Sequence, residues 1–308
     1  MALFNLFKSR NESIEAKPVE LRALLAGYSI EVMPRTASKI DDFQAILPEG
    51  TRVYIAHIDG TPIADMVATA SRLAKDGFAV MPHIPARLIP NLSTLETWLR
   101  SYSGEAGVTQ ALIIGGGPAR PAGDLHSSLQ LLESGLFDKY GFTRLHVAGH
   151  PEGAGHIDRD GSTRIVDDML RLKQAFAERS GADMAITTQF AFDAKAVIAW
   201  AERIAAAGIN LPIHLGVAGP ARLQTLIKFA IECGIGPSLG VLQKRALDLS
   251  KLLAPYEPLD MLTEIAAYKA SHPDSLIQQI HVFPLGGIRP SVEWMNSHGG
   301  IQPKRPTG

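Results

Sequence analysis

Short apolar runs alternate with amphipathic stretches along most of the chain. The runs are Tyr28–Arg35, Arg52–His57, Phe78–His83, Gln110–Ile114, Arg144–Ala148, Met184–Phe190, Pro212–Val217 and Ile280–Leu285. Within each, apolar residues are nearly continuous, as in parallel strands covered by helices on the outside. Between them the spacing predicts helices. A short one covers Asp41–Leu47, one is capped by Thr61 and runs to about Asp76, and one is capped at Ser93. Others cover Leu125–Phe137 and Ser162–Ser180, the latter with Ile165, Met169, Leu172 and Phe176 at helical spacing. Further helices start at Asp193, span Pro220–Cys233, fill part of 237–271 and cover Ser291–Ser297. Eight strands each followed by a helix predict an α/β fold closed as a (β/α)8 TIM barrel. A doubly wound open sheet is the alternative, but no Gly-x-Gly-x-x-Gly joins an early strand to a helix. Residues 1–19 read as an N-terminal arm, 20–298 as the barrel, and the Pro/Gly/basic residues 299–308 as a disordered tail.

Composition narrows the function classes. With 308 residues, 46% of them hydrophobic and 20% charged, the chain can bury one large barrel core. Thirty basic against 31 acidic side chains leave no electrostatic footprint for nucleic acid. The single Cys233 excludes an internal disulfide and a thiolate-rich zinc site, as expected in a reducing cytosol. The start of the chain lacks a signal-peptide pattern, and no segment approaches about 18 uninterrupted apolar residues. A cytoplasmic protein without a membrane span is expected, with homo-oligomer formation left open.

In such a barrel the site lies at the C-terminal strand ends. Those ends carry Glu31, His57, His83, Gly115–Gly117, His150 with Glu152, Gln189, Gly216 and Pro284–Gly287. Glu31 stands where the strand pattern wants an apolar residue. Burial raises a carboxyl pKa unless a partner offsets it, and an acid poised near neutrality suits proton transfer. A structural ion pair is the other reading. Gln189, in an otherwise apolar strand, offers a donor and an acceptor to a heterocycle's edge or to a structural partner. His57 and His83 read equally as site groups or as hydrogen-bonded rim histidines. The pair His150 and His156 is too sparse for a metal centre, and none is expected. The Gly115–Gly117 turn lacks the Lys-Ser/Thr of a phosphate loop but lets a backbone approach a flat ligand. Asp167, Asp168 and Lys173 on the long helix read by default as a solvated face.

Two stretches then carry a resemblance. SIEVMPR on the first strand resembles the Ser-Phe-Glu-Phe-Phe-Pro-Pro opening of methylenetetrahydrofolate reductases, and ITTQFAFD, from Ile186 to Asp193, is similar to that family's Thr-Gln-Phe-Phe-Phe-Asp. MPHIP and HPEGAGH add weaker matches to its Pro-His and Tyr-Pro-Glu-x-His. The resemblance spans about residues 20–298. It implies a flavin-containing (β/α)8 barrel that passes hydride from NADH or NADPH to FAD, then to methylenetetrahydrofolate. It further implies Glu31 as the acid that protonates the folate and Gln189 as a folate-contacting amide. His57, His83, Gly115, Gly116, Gly117, Ala122, His150, Asp168 and Lys173 are implied around FAD.

The departures are as specific. Gly117 stands where the family carries an Asp near the flavin, and His150 where it carries Tyr. Its ligand-stacking Phe is replaced around Ala218, and its Asn-Arg after strand eight becomes Gly286-Gly287, with Arg289 nearby to grip a folate tail. Rival expectations are a flavin-free pterin- or folate-dependent methyltransferase and a catalytically inactive folate-binding homologue. An aldolase or isomerase lacks the rim lysine it would want.

Overall fold

Eight parallel strands close on themselves, each hydrogen-bonded to the next and the last to the first, in the order β1 to β8. The strands are β1 (Ser29–Val32), β2 (Arg52–Ile55), β3 (Ala79–Pro85), β4 (Gln110–Ile114), β5 (Arg144–Gly149), β6 (Asp183–Ala191), β7 (Ile213–Ala218) and β8 (Ile277–Phe283). Closure runs through Ser29 opposite His281 and Ile30 opposite Val282. The fold is therefore the expected (β/α)8 barrel. The computed structural model describes residues 18–155, 157–232, 240–243 and 255–301. Residues 1–17 of the arm and 302–308 of the tail, His156, Cys233 and much of the 237–254 stretch lie outside the described residues, while Pro18 and Val19 belong to the first helix and Gly299 to the last.

Around the barrel stand α1 (Pro18–Leu25), α2 (Pro34–Ala37), α3 (Ile63–Lys75), α4 (Leu92–Ala106), α5 (Ser128–Leu132), α6 (Leu136–Lys139), α7 (Arg164–Ser180), α8 (Ala194–Ala206), α9 (Leu223–Glu232), α10 (Leu259–Ser271) and α11 (Ile288–Gly299). None of the described helices is long and apolar enough to cross a membrane. Because side chains alternate along a strand, every strand presents one set to the helices and one to the barrel interior. Ile30 and Val32 join the helix-facing core, with Val53, Ile55, Leu73, Leu99 and Trp200. Ser29, Glu31, Arg52 and Tyr54 turn inward.

The interior is unusually polar for a packed core, and many of its polar groups bond one another, although His214 Nδ1 has no hydrogen-bond partner among the described residues. Near the strand starts, Arg52 donates from Nε to Gln110 Oε1 at 3.0 Å and from a terminal nitrogen to Gln279 Oε1 at 3.3 Å. One layer nearer the mouth, Tyr54 Oη lies 2.7 Å from His146 Nδ1 and 3.2 Å from Thr187 Oγ1. His214 packs edge-on against His146, their rings 4.6 Å apart.

Several local expectations are corrected. Asp41–Leu47 forms turns, not a helix: Asp42 Oδ1 accepts the Ala45 amide at 3.1 Å, a side-chain bond that competes with helical pairing. The first strand stops at Val32 because Pro34 starts a helical turn. Leu125–Phe137 is two helices, α5 and α6, divided where Gly135 takes φ +69°. The cap of α4 is Asn91, which accepts the Thr94 amide at 2.9 Å, rather than Ser93. Behind Thr61 the chain passes Pro62 before α3 begins. Strand eight starts earlier, at Ile277, and the last helix is longer, Ile288–Gly299. On α7 the buried stripe is Val166, Leu170, Lys173 and Phe176, while Ile165 and Leu172 face solvent. The aliphatic spacing fits two neighbouring registers. A half-buried bond network selects the second: Asp167 accepts the Thr163 hydroxyl at 2.8 Å and pairs with Arg203 of α8.

Gly149, at the end of β5, has no room for a side chain: a Cβ there would lie 2.3 Å from Ile186 Cγ2 and 3.2 Å from Trp200 Cη2. Gly149→Ala should cost about 1–3 kcal/mol of stability by overpacking, read from its urea midpoint. A midpoint matching the parent would contradict this packing.

Candidate active site

At the C-terminal mouth the inward residues of β1, β3 and β8 converge on one carboxylate. His83 Nε2 lies 3.2 Å from Glu31 Oε2, and His281 Nε2 lies 3.8 Å from the same oxygen. His83 Nε2 makes no aligned hydrogen bond and His281 Nε2 is too far for one, so these are electrostatic pairs. Glu31 keeps 18% of its side chain exposed, and His281 none. Ser29 Oγ, one pleat below, lies 3.0 Å from His281 Nδ1. Tyr54 packs its ring 4.3 Å from that of His281.

The electrostatics correct the expectation of a neutral acid. Burial alone would raise the Glu31 carboxyl, but the two adjacent imidazoles, His83 foremost, outweigh it and hold it down at about 2. Glu31 is therefore a carboxylate throughout the neutral range. Burial pulls His281, His146 and His214 below the ordinary imidazole range, and the neighbouring positive groups add to this at His146 and His214.

Opposite this cluster, β6 carries a bulge. Thr187 pairs with His214 but Phe190 with Gly216, so three steps on β6 face two on β7. Thr188 holds the distortion: its hydroxyl donates to the Gln189 carbonyl at 2.8 Å and accepts the Gly216 amide at 2.8 Å. Gln189, half-buried at this bulge, has no side-chain hydrogen bond among the described residues, which leaves its amide available to a ligand. Next to it stands an aromatic wall. The rings of Phe190 and Phe283 lie 5.5 Å apart, Phe192 and Tyr256 lie 5.2 Å apart, and Phe283 stands edge-on to His281 at 4.8 Å. Gly216 makes room for it, since a Cβ there would meet Phe283 Cε2 at 2.7 Å.

The other expected residues divide. Gly115 accepts the Arg87 amide at 2.9 Å, Gly116 adopts φ +93° against Pro85, and the space beside Gly115 and Gly117 is open. His57 stacks on Trp98 at 4.8 Å and reaches the Thr61 carbonyl at 3.1 Å, which ties it to α4. His150 is half-buried just beyond β5. Ala122 is exposed, and its amide donates to the Arg87 carbonyl at 2.9 Å. Asp168 faces solvent, paired with Arg171 at 2.5 Å, so its default reading holds. Lys173 does not follow that reading: it is buried, pulled down to about 8 by desolvation, and has no anionic partner among the described residues. Arg289 is exposed in the first turn of α11.

The Gly286-Gly287 pair has a backbone reason. A Cβ on Gly286 would lie 2.0 Å from the Pro220 carbonyl oxygen, and Gly287 takes φ +124°. Sequence reasoning missed His281, Tyr54, His146 and His214. The available signal was a single polar ring on the inward face of each of four apolar runs. It also missed Asp158, buried in the loop after β5, which accepts the amides of Ile165 and Val166 at 2.8 and 3.1 Å and so caps α7. Among the described residues no group of three or more His, Cys, Asp or Glu is placed to hold a metal ion.

No family model matches the chain. An uncharacterised protein from Clostridium thermocellum that binds two copies of 5-methyl-5,6,7,8-tetrahydrofolic acid is similar in structure, with TM-score 0.56 and 12% identity, over 88% of this chain and 93% of that one. The catalytic domain of a mannanase from Streptomyces sp. SirexAA-E is more distant, with TM-score 0.45 and 12% identity over 86% of this chain and 77% of that one. At these identities the likeness concerns the fold.

The Glu31 carboxyl is depressed from 4.5 to about 2, so its contribution to stability is whole above 4.5 and lost as pH falls through about 2. The stability difference between the parent and Glu31→Gln, measured by urea unfolding, should shrink as pH is lowered through that window. A difference that stays constant would contradict the two-imidazole environment.

Proposed function

We propose that the protein binds a reduced folate at the mouth of the barrel and interconverts 5,10-methylenetetrahydrofolate and 5-methyltetrahydrofolate, with FAD and NADH or NADPH. The observation that carries this reading is the Glu31 cluster, set across the mouth from the Gln189 bulge, whose amide has no side-chain hydrogen bond among the described residues. SIEVMPR and ITTQFAFD, the stretches that resemble methylenetetrahydrofolate reductases, are the segments that build these two features. The structural likeness to a barrel that binds 5-methyltetrahydrofolate supports the ligand class.

In this reading the chain's own residues have separate tasks. Glu31 and its imidazoles manage a proton at the pterin, Gln189 reads the heterocycle's edge, the Phe190–Phe283 wall shields one face from water, and exposed Arg289 reaches for the glutamate tail. FAD, when bound, supplies the hydride chemistry. Its fit is uneven. The open backbone at Gly115 and Gly117, half-buried His150 and buried Lys173 would suit it, with His57 and His83 nearby, whereas Ala122 and Asp168 face away into solvent. That unevenness favours, as a second reading, a flavin-free pterin- or folate-dependent methyltransferase.

One spectrum separates the two. The purified protein, supplied with FAD, should absorb in the flavin band and oxidise NADH or NADPH with a quinone acceptor. A colourless protein that takes up no FAD yet binds folate would overturn the reductase in favour of the transferase. Glu31→Gln should keep flavin reduction by nicotinamide and lose the folate half-reaction by about 10²-fold or more. Equal loss of both halves would make Glu31 structural.

A further inference from the structure

A carboxylate held ionised in a nearly buried site needs a counter-charge close by, because an uncompensated buried charge is strongly unfavourable. Few groups face Glu31. His83 comes from β3, Tyr54 from β2, and Ser29 and His281 from β1 and β8. Arg52 lies deeper, engaged by Gln110 and Gln279. His146 and His214 sit below on β5 and β7, and Arg144 is paired with Asp183 at the strand starts. His57, with Asp59 near it, is turned toward Trp98.

His281 is the poorer home for the charge. It is wholly buried, and burial disfavours its charged form. Ser29 also meets its Nδ1. The Ser29 hydroxyl is nearer to His281 Nδ1, at 3.0 Å, than to the Ile280 carbonyl, at 3.5 Å. A hydroxyl that donates to Nδ1 leaves the ring proton on Nε2, the nitrogen facing Glu31. In that arrangement a neutral His281 turns its Nε2–H to the side of the carboxylate, 3.8 Å away. His83 remains, with Nε2 at 3.2 Å from the same oxygen and 11% of its side chain open to the mouth.

We propose that His83 carries the positive charge of the ligand-free site, with Glu31 as its counter-ion and His281 as a neutral positioning residue, so that the imidazolium of His83 is the proton donor at the mouth. The donor role rests on the folate reading above; the charge assignment does not. In the transfer an N–H bond of His83 breaks and an N–H bond forms on N10 of the methylene bridge, whose bond to the bridging carbon then opens and leaves the iminium on N5. His83 is left neutral, the ligand takes the positive charge, and Glu31 stays a carboxylate beside it.

Nitrogen-15 NMR of the ligand-free protein near neutral pH tests the assignment, with the His83 signals identified by their loss in His83→Gln. Both ring nitrogens of His83 should be protonated in the parent and only one in Glu31→Gln. A neutral His83 in the parent overturns the proposal, and so does a His83 that remains charged without the Glu31 carboxylate. If Glu31→Gln does not fold, the parent spectrum decides alone. With the bound flavin reduced chemically beforehand, His83→Gln should slow the folate half-reaction by about 10²-fold or more. An unchanged folate step overturns the donor role. A charged His83 in a protein that binds no folate would sustain the assignment and remove only the folate reading.

Discussion

A carboxylate placed inside a parallel barrel must be compensated, and much of the mouth is arranged around that requirement. Glu31 is on the inward pleat of β1, the face that in an ordinary barrel is filled with aliphatic side chains. Two imidazoles from β3 and β8 meet it, and their attraction exceeds the cost of burial. Those imidazoles must themselves be held. Ser29 fixes one ring of the pair, and the ring of Tyr54, bonded to His146 and Thr187, packs against it. The polar interior is thus a scaffold for one anion rather than a set of unrelated buried groups.

The opposite wall answers a different constraint, that of presenting polar and flat surfaces without breaking closure. The β6 bulge turns Gln189 out of the ladder while Thr188 repairs the hydrogen bonds that the bulge interrupts. Gly216 gives Phe283 its space. The aromatic residue that the resemblance leads one to expect after β7 is absent, since Ala218 is fully buried there, and an aromatic surface stands instead on β6 and β8.

The barrel was legible because its signal is repeated eight times: continuous apolar runs separated by helical spacing. Glu31 and Gln189 were legible because a charge and an amide break such runs. What escaped depends on partners distant in sequence. The state of Glu31 is set by His83 and by His281, the latter 250 residues away in the chain, and burial alone points to the opposite shift. The exposed side of α7 was misassigned because Ile165 and Leu172 share the spacing of the true stripe, and only the Asp167–Arg203 pair distinguishes them. Asp158 escaped because a capping carboxylate in a loop looks like any other loop acid.

The central claim is that this mouth recognises a reduced folate through Glu31 and Gln189. Titration calorimetry with 5-methyltetrahydrofolate tests it most directly. The account predicts saturable binding that weakens by about tenfold in Gln189→Ala, the loss expected when one buried hydrogen-bonded contact of about 1.4 kcal/mol is removed. No saturable binding to the folded parent protein would contradict it.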